Sequence, residues 1–220
     1  MLGLGCFGVG VAQTSFTFGV SLTSAASTGL VFATAPVWGM LLGFVFGLER
    51  PTWRGILGVG LSILGVGIVV YGGLGTGDDS LVGNLLVLVA AAGVGAYTVF
   101  SMSMLDRYSP LAVATYPILF GAPVVLLLSS PYFTGVDWES VSGGAWATVG
   151  YSAVFATAFA FAGWQRGISR IGANRVLVYQ YLITLTGVVS GIVLLGESLG
   201  ANKILGGAVI LVGVYLSRRQ

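Results

Sequence analysis

The sequence predicts an all-α fold: a polytopic bundle of about eight transmembrane helices with an inverted structural repeat. Only 7% of the 220 residues are charged and 56% are hydrophobic, whereas about a quarter of a soluble domain is charged. The charged residues fall in a few short groups. The apolar runs between them have the roughly 17–25 residues that a spanning helix needs, so most of the surface is expected to face lipid.

Eight spans follow from the positions of these charged groups. They cover residues 2–22, 25–47, 54–73, 82–103, 111–130, 144–165, 173–195 and 202–217. The longest connection, Pro131 to Gly143, carries Tyr132, Phe133 and Trp138. We interpret these rings as anchors at the membrane interface rather than as ligand contacts.

The arginines predict the orientation, because basic residues favour the cytoplasmic side of a membrane. With a cytoplasmic N-terminus, that side holds Arg50, Arg54, Arg107, Arg166, Arg170, Arg175, Arg218 and Arg219. The other side holds Lys203, Asp78, Asp79, Asp137, Glu139 and Glu197. A wrong helix count would mix the two groups. We therefore expect a multi-pass protein of the cell (plasma) membrane with both termini cytoplasmic.

The composition excludes several kinds of site. The chain has no histidine and one cysteine, Cys6, so it lacks the commonest metal ligand and cannot form an intrachain disulfide. The sequence also has no acidic residue near the middle of a span and no basic run. We expect no catalytic residue, no metal, no cofactor and no nucleic-acid partner.

A shift of 148 residues aligns the chain with itself over more than 40 residues without a gap. The identical pairs include Gly39/Gly187, Gly43/Gly191, Glu49/Glu197, Gly58/Gly206, Gly65/Gly213 and Val66/Val214. In the predicted topology, Glu49 and Glu197 lie on opposite sides of the membrane, so the two copies are inverted. Inverted repeats recur in secondary transporters, where a site between the halves opens to either side in turn.

Motifs in both copies match a known pattern. The first copy has Ala35-Pro36, Gly47-Leu-Glu-Arg50, Trp53-Arg54 and Gly58 to Gly65; the second has Gly187, Leu195-Gly-Glu197, Gly206, Gly213 and Ser217-Arg-Arg219. The segment from Gly83-Asn84 to Met104 is similar to a helix that opens a second repeat. Over essentially the whole chain, these motifs resemble the EamA-type permeases of the drug/metabolite transporter (DMT) superfamily.

The resemblance implies ten helices in two five-helix repeats, and this chain begins at what resembles the third helix. Residues 1–73 are then an incomplete first repeat of three helices, and residues 82–217 are a second repeat of five. Three explanations stay open. The chain is a truncated fragment, its start codon was assigned too late, or a partner chain supplies the two missing helices.

Polar and aromatic side chains within the spans are the candidates for substrate binding. Gln13 lies near the middle of the first span and forms, with Thr17 one turn later, a stripe expected to face the bundle interior. Gln180, in the seventh span, can donate and accept hydrogen bonds. The aromatic candidates are Trp38, Tyr97, Tyr116, Tyr151 and Trp164. Helix packing is the alternative interpretation for every one of them.

Other features have structural interpretations. Glu49 and Glu197 lie at helix ends, where we favour capping or pairing over a role in transport. Pro36, Pro117 and Pro123 lie inside spans, where each removes a backbone hydrogen bond and favours a kink. The Gly-x-x-x-Gly pairs predict close contact between helices.

The function that these features favour is secondary transport, by alternating access, of small metabolites such as amino acids or drug-like solutes. The uncharged spans favour neutral, zwitterionic or amphipathic solutes. The alternative is a non-transporting or partner-dependent membrane subunit. An intramembrane enzyme is disfavoured because its acids, bases or nucleophiles are missing. The expected partners are a small-molecule substrate and bilayer lipid, and the chain acts either alone or as a homodimer.

Overall fold

The computed structural model describes residues 1–47, 52–73, 80–176, 179–197 and 200–218, and every regular element in these residues is helical. The first helix, α1, consists of Leu4–Val11 and Ala12–Leu22. The others are α2 (Ala25–Val45), α3 (Trp53–Gly73), α4 (Leu81–Leu105), α5 (Pro110–Phe133), α6 (Gly143–Ile171), α7 (Gln180–Leu195) and α8 (Ala201–Arg218). A single turn, Ala173–Val176, precedes α7.

The helices are those of a multi-pass membrane protein. Within the described residues, α2 to α6 are long and apolar enough to cross a membrane, and α7 and α8 contain the shorter apolar stretches Leu182–Leu195 and Ala201–Leu216. Large apolar side chains point away from the bundle; Leu127 is 72% exposed and Leu194 is 77% exposed. An outer surface of this kind is stable in lipid rather than in water.

Serine side chains fix where four helices begin. Each accepts a hydrogen bond, of 3.2 or 3.3 Å, from the backbone N–H three residues later, and the four caps are Ser24, Ser80, Ser109 and Ser142. The first N–H groups of a helix have no partner within it, so these caps stabilise the starts of α2, α4, α5 and α6.

The predicted end of the sixth span, at residue 165, is wrong. α6 continues to Ile171, so Arg166 and Arg170 lie on its last turns rather than in a connection. The helix ends only at Gly172, whose φ of 80° favours glycine. Long arginine side chains can reach the membrane interface from such a turn, which is why the apolar run stops before the helix does.

The predicted end of the fifth span is also too early, because α5 passes through Pro131 and ends at Phe133. Pro131 cannot donate the N–H that would bond the carbonyl of Leu127. The Ser130 hydroxyl donates to that carbonyl instead, at 2.8 Å, so the helix continues past the proline. Tyr132 therefore belongs to α5, where its ring lies 4.9 Å from the ring of Phe18.

Two other predicted spans are interrupted. The span 25–47 has a turn at Ala33 and Thr34, so that Pro36 lies in the first turn of the helix Ala35–Val45, where its missing N–H costs little. The span 173–195 is described as Ala173–Val176 and Gln180–Leu195, with residues 177–178 outside the described residues.

The connections alternate between two ends of the bundle. At one end, the rings of Phe46 and Phe100 lie 5.0 Å apart, and Leu105 packs against Ile168 and Val176. We call it the arginine end because the described arginines lie there: Arg54, Arg107, Arg166, Arg170, Arg175 and Arg218. Glu49, Arg50, Arg219, Asp78 and Asp79 lie outside the described residues, so the capping predicted for Glu49 stays a prediction.

The opposite end holds the connection between α1 and α2, residues 22–26. The Ser80 N–H at the start of α4 donates to the Leu22 carbonyl at 3.1 Å. Asp137, Glu139, Glu197 and Lys203 belong to the connections and helix starts of this end. The described basic residues thus separate as the predicted threading requires, and Asp106, beside Arg107, is the described acid at the arginine end.

Helices α3 and α8 pack antiparallel through glycines. A Cβ on Gly65 would lie 2.7 Å from the Gly206 carbonyl oxygen, and one on Gly213 would lie 2.6 Å from that of Gly58. The Ser62 hydroxyl donates to the Ile210 carbonyl at 3.4 Å, and these two residues are 148 positions apart. Contact between a residue and its own equivalent is what a two-fold axis produces, in agreement with the shift found in the sequence.

Gly65→Ala is expected to destabilise the protein by about 1–3 kcal/mol, because the added methyl group forces two backbones apart. Gly67→Ala is the matched control, since nothing lies within 4 Å of the position that its methyl group would take, and it should be neutral or slightly stabilising. Thermal unfolding in detergent measures both. Equal melting temperatures for the two variants would contradict the close α3–α8 contact.

Candidate functional site

A cavity of about 400 Å³ lies between α1, α2, α4, α6 and α7. Its wall is mostly apolar, with the aromatic rings of Phe16, Phe32, Tyr97, Phe161 and Trp164. The other polar side chains are two amides and two hydroxyls, from Gln13, Gln180, Ser152 and Thr157. Among the described residues, no charged side chain lines it. Such a cavity suits a small solute with an apolar body and few polar groups.

Two π-helical segments border the cavity, Leu4–Val11 in α1 and Ser152–Phe159 in α6. Their first residues are 148 positions apart, as are their last. Gly8 of the first segment and its equivalent Ala156 of the second both line the cavity. π-helical turns are rare and are often found at functional sites. The repeat is therefore visible in the backbone where few residues are identical.

Other lining positions are paired by the same shift. The pairs are Val9/Thr157, Ala12/Ala160, Gln13/Phe161, Phe16/Trp164 and Phe32/Gln180. Helices α1 and α2 thus present to the cavity the positions that α6 and α7 present from the other half. The side chains differ, however, and each glutamine has an aromatic equivalent. At these paired positions the cavity is symmetric in its backbone and asymmetric in its chemistry.

Gln180 provides a buried hydrogen-bond donor with no partner. The side chain is 1% exposed, and its Nε2 has no hydrogen-bond partner among the described residues. Burying an unpaired amide costs about 1–3 kcal/mol. A solute oxygen or water that reached this nitrogen from the cavity would satisfy it, so Gln180 is the strongest candidate for polar recognition.

The hydroxyl of Tyr97 has a structural role. It donates to the Val113 carbonyl at 3.1 Å. Within a regular helix that carbonyl would accept from residue 117, but Pro117 has no N–H. Tyr97 therefore satisfies the carbonyl that the proline leaves free, while its ring lines the cavity and contacts Phe161 with centroids 5.5 Å apart.

Sequence reasoning missed Gln165, a second buried amide behind the wall. It is fully buried beside Tyr97, yet neither its oxygen nor its nitrogen has a partner with hydrogen-bond geometry among the described residues. The available signal was its helical spacing from Phe161 and Ile168, which places all three on one face. The neighbouring Arg166 obscured that signal, because it suggested a helix end.

Four predicted candidates line the cavity: Trp164, described below, and the three residues Gln13, Tyr97 and Gln180. The last three lie on α1, α4 and α7, far apart in sequence. Thr17, predicted to share a stripe with Gln13, does not line the cavity; its hydroxyl donates to the Gln13 carbonyl at 3.0 Å. Trp164 lines the cavity, and its indole N–H donates to the Thr98 hydroxyl at 3.2 Å.

The remaining aromatic candidates lie elsewhere. Trp38 borders a smaller cavity of about 120 Å³, between α2 and α3. Tyr116 is 48% exposed and Tyr151 is 63% exposed. Their rings stack on those of Phe120 and Phe155 respectively. On an apolar outer surface these tyrosines suit lipid contact, and neither lines the cavity.

Spanning helices around an uncharged cavity suit a membrane transporter, and the family match places the chain in that class. The chain belongs to the EamA-like transporter family, whose model matches residues 1–71 and 81–219. This agrees with the DMT resemblance read from the motifs.

Individual relatives are also transporters by name. An uncharacterized transporter of Archaeoglobus fulgidus is 26% identical over 219 residues, which cover 99% of this chain and 76% of that protein. A probable terminal-alkyne amino-acid exporter of Streptantibioticus cattleyicolor is 30% identical over 217 residues, covering 98% of this chain and 71% of that protein. A crystal structure superposes with a TM-score of 0.62 at 18% identity, over 97% of this chain and 75% of the other, and supports the fold.

Tyr97→Phe is expected to lower stability by about 1 kcal/mol, since the Val113 carbonyl loses its donor. Pro117→Ala in the same background should restore most of this loss, because an alanine at that position can donate its N–H within the helix. Melting temperatures of the four proteins in this double-mutant cycle give the coupling. Purely additive effects would contradict the assigned role of the hydroxyl.

Proposed function

We propose that this protein transports small neutral or zwitterionic amphipathic solutes, in particular amino acids with apolar side chains, across the cell membrane. The observation that carries the proposal is the uncharged cavity, with aromatic walls and the unpartnered amide of Gln180. An apolar side chain gains about 25 cal/mol for each Å² removed from water. The Gln180 amide can donate to a carboxylate or carbonyl oxygen, and Gln13 can donate and accept.

The uncharged wall of the cavity disfavours a solute that carries a net charge. An isolated ion is costly to bury where no opposite charge pairs with it. A zwitterion avoids much of this cost because its two charges are close together. The naming of one relative as an amino-acid exporter supports the amino-acid class and the outward direction.

We propose alternating access as the mechanism, with the three-helix repeat 1–73 inverted relative to the five-helix repeat 82–217. The support is the 148-residue spacing, which recurs in the π-helical segments, in the paired lining positions and in the Ser62–Ile210 contact. Repeats that share a backbone geometry can exchange conformations and open the cavity to either side in turn. The arginine end is proposed to face the cytoplasm, together with both termini.

Counterflow into proteoliposomes tests the proposal with the full chain. Vesicles loaded with unlabelled leucine should accumulate labelled leucine, phenylalanine and propargylglycine, and should accumulate lysine and glutamate much less. Vesicles without protein are the control. Equal uptake of charged amino acids would overturn the substrate class, and no counterflow of any amino acid would overturn the function. Light scattering of the same sample distinguishes a single chain from a homodimer.

Gln180→Met is expected to raise the KM for leucine counterflow about tenfold, because one hydrogen bond to the solute is lost at similar volume. The matched control is Thr186→Ala, on the same helix and exposed, whose hydroxyl bonds only backbone carbonyls within its own helix. An unchanged KM in Gln180→Met would remove this residue from the site.

A further inference from the structure

We propose that Glu197 acts as a clasp that holds α7 against α2 at the end opposite the arginines, and that its release opens the cavity toward that end. The inference rests on the proposed function, because a clasp on the cavity matters only if a solute passes through it. It assigns to Glu197 a positioning role in transport, in addition to helix capping.

The clasp consists of two short hydrogen bonds to one helix start. The Ala25 N–H donates to Glu197 Oε1 at 2.7 Å, and the Ala26 N–H donates to Oε2 at 2.9 Å. These residues are 172 and 171 positions from Glu197. A carboxylate at a helix N-terminus is further stabilised by the helix dipole.

The start of α2 depends on this carboxylate. Its Ser27 N–H donates to the Ser24 hydroxyl at 3.2 Å, and its Thr28 N–H donates to the Ser24 carbonyl at 2.9 Å. The two remaining N–H groups of the first turn are those bound by Glu197. Two of these four N–H groups therefore find their partner at the far end of the chain, so the contact is both a cap and a link between distant helices.

The end of α7 directs the Glu197 side chain toward the start of α2. The helix ends at Gly196, in the left-handed region with a φ of 68°, and the Glu197 N–H then donates to the Gly191 carbonyl at 3.0 Å. This closure turns the chain back over α7. Gly191 also leaves room for the carboxylate, because a Cβ there would lie 2.7 Å from Glu197 Oε2.

Apart from the clasp, α2 and α7 meet through small residues. A Cβ on Gly29 would lie 3.2 Å from the Thr184 carbonyl oxygen, and one on Gly187 would lie 3.6 Å from the Gly29 Cα. Smooth surfaces of this kind allow close approach and lack interlocking side chains. The outer face of α7 is exposed along Leu182, Leu185, Val189 and Ile192 to Leu195. Val188 of α7 packs against the core that includes Leu30 and Val31 of α2, and the Glu197 hydrogen bonds are the directional contacts that sliding of α7 along α2 would break.

The clasped helices are also cavity walls. Phe32 of α2 and Gln180 and Ile183 of α7 line the cavity. The two helices run antiparallel, with Ala26 beside Gly191 and Gly29 beside Thr184. Movement of α7 at its Glu197 end therefore changes the space around Gln180 at its other end.

Two neighbouring hydrogen bonds link the same connection, residues 22–26, to other helices. The Lys203 ammonium of α8 donates to the Ser24 hydroxyl at 2.9 Å, and the Thr23 hydroxyl donates to Asn84 Oδ1 of α4 at 3.0 Å. Residues 22–26 thus bind α4, α7 and α8 at once. Losing the Glu197 link frees α7 alone, while the other two links hold α4 and α8 in place.

Side-specific cysteine labelling tests the clasp. In a Cys6→Ser background, Ala90→Cys places a reporter in the cavity, where Ala90 is 1% exposed. A membrane-impermeant maleimide is added to each side of reconstituted vesicles, and Glu139→Cys identifies the side that carries the Glu197 end. Glu197→Gln should raise labelling of the reporter from that side about tenfold. Glu139→Gln, which removes an exposed carboxylate from the same end, should leave labelling unchanged.

Gly191→Ala is the second variant, because its methyl group displaces the carboxylate without removing a charge. It should raise labelling from the same side as Glu197→Gln. Size-exclusion chromatography shows whether the Ala90→Cys proteins that carry Glu197→Gln or Gly191→Ala are folded. If either is not, Ala156→Cys replaces Ala90→Cys as the reporter.

Unchanged labelling in both variants would overturn the clasp, even if both variants have lower melting temperatures. A purely structural cap would alter stability without altering the side from which the reporter is labelled. Labelling requires no solute, so the two proposals can fail separately. Counterflow with unchanged labelling rejects the clasp alone, whereas altered labelling without counterflow rejects the substrate assignment.

Discussion

A bilayer supplies no hydrogen bonds to a polypeptide, so each backbone group in it must find a partner within the protein. Many unusual contacts of this fold follow from that constraint. Tyr97 satisfies a carbonyl freed by Pro117, and Ser130 satisfies one freed by Pro131. Glu197 satisfies two N–H groups at the start of α2. In each case a side chain bonds a backbone group that a proline or a helix start leaves without a partner. Long helices therefore continue past their prolines.

The constraint also explains why the unpartnered amide of Gln180 is informative. Where serines, a tyrosine and a glutamate satisfy so many free backbone groups, a donor left unpaired in a cavity wall stands out. Its position across from aromatic rings combines one directional contact with a broad apolar surface. Recognition of this kind tolerates many side-chain shapes while fixing one end of the solute.

The helices and the order in which they cross the membrane were predictable from the sequence, because apolar runs mark the segments that face lipid and charges mark the connections that face water. The π-helical segments were not, since Leu4–Val11 and Ser152–Phe159 share little beyond Phe7 and Phe155. Gln13, Tyr97 and Gln180 could be identified as polar groups at membrane depth. Their meeting at one cavity, and the separation of Trp38 and Tyr116 from it, depend on helix rotation, which hydropathy does not encode.

The paired lining positions have a consequence for how specificity can change. Equivalent backbone sites carry glutamine in one half and an aromatic residue in the other, at Gln13/Phe161 and Phe32/Gln180. A duplicated scaffold can therefore diverge in chemistry one repeat at a time while its shared backbone geometry is preserved. Under the proposed function, a change of solute preference needs substitutions in only one repeat, because the other keeps its lining residues.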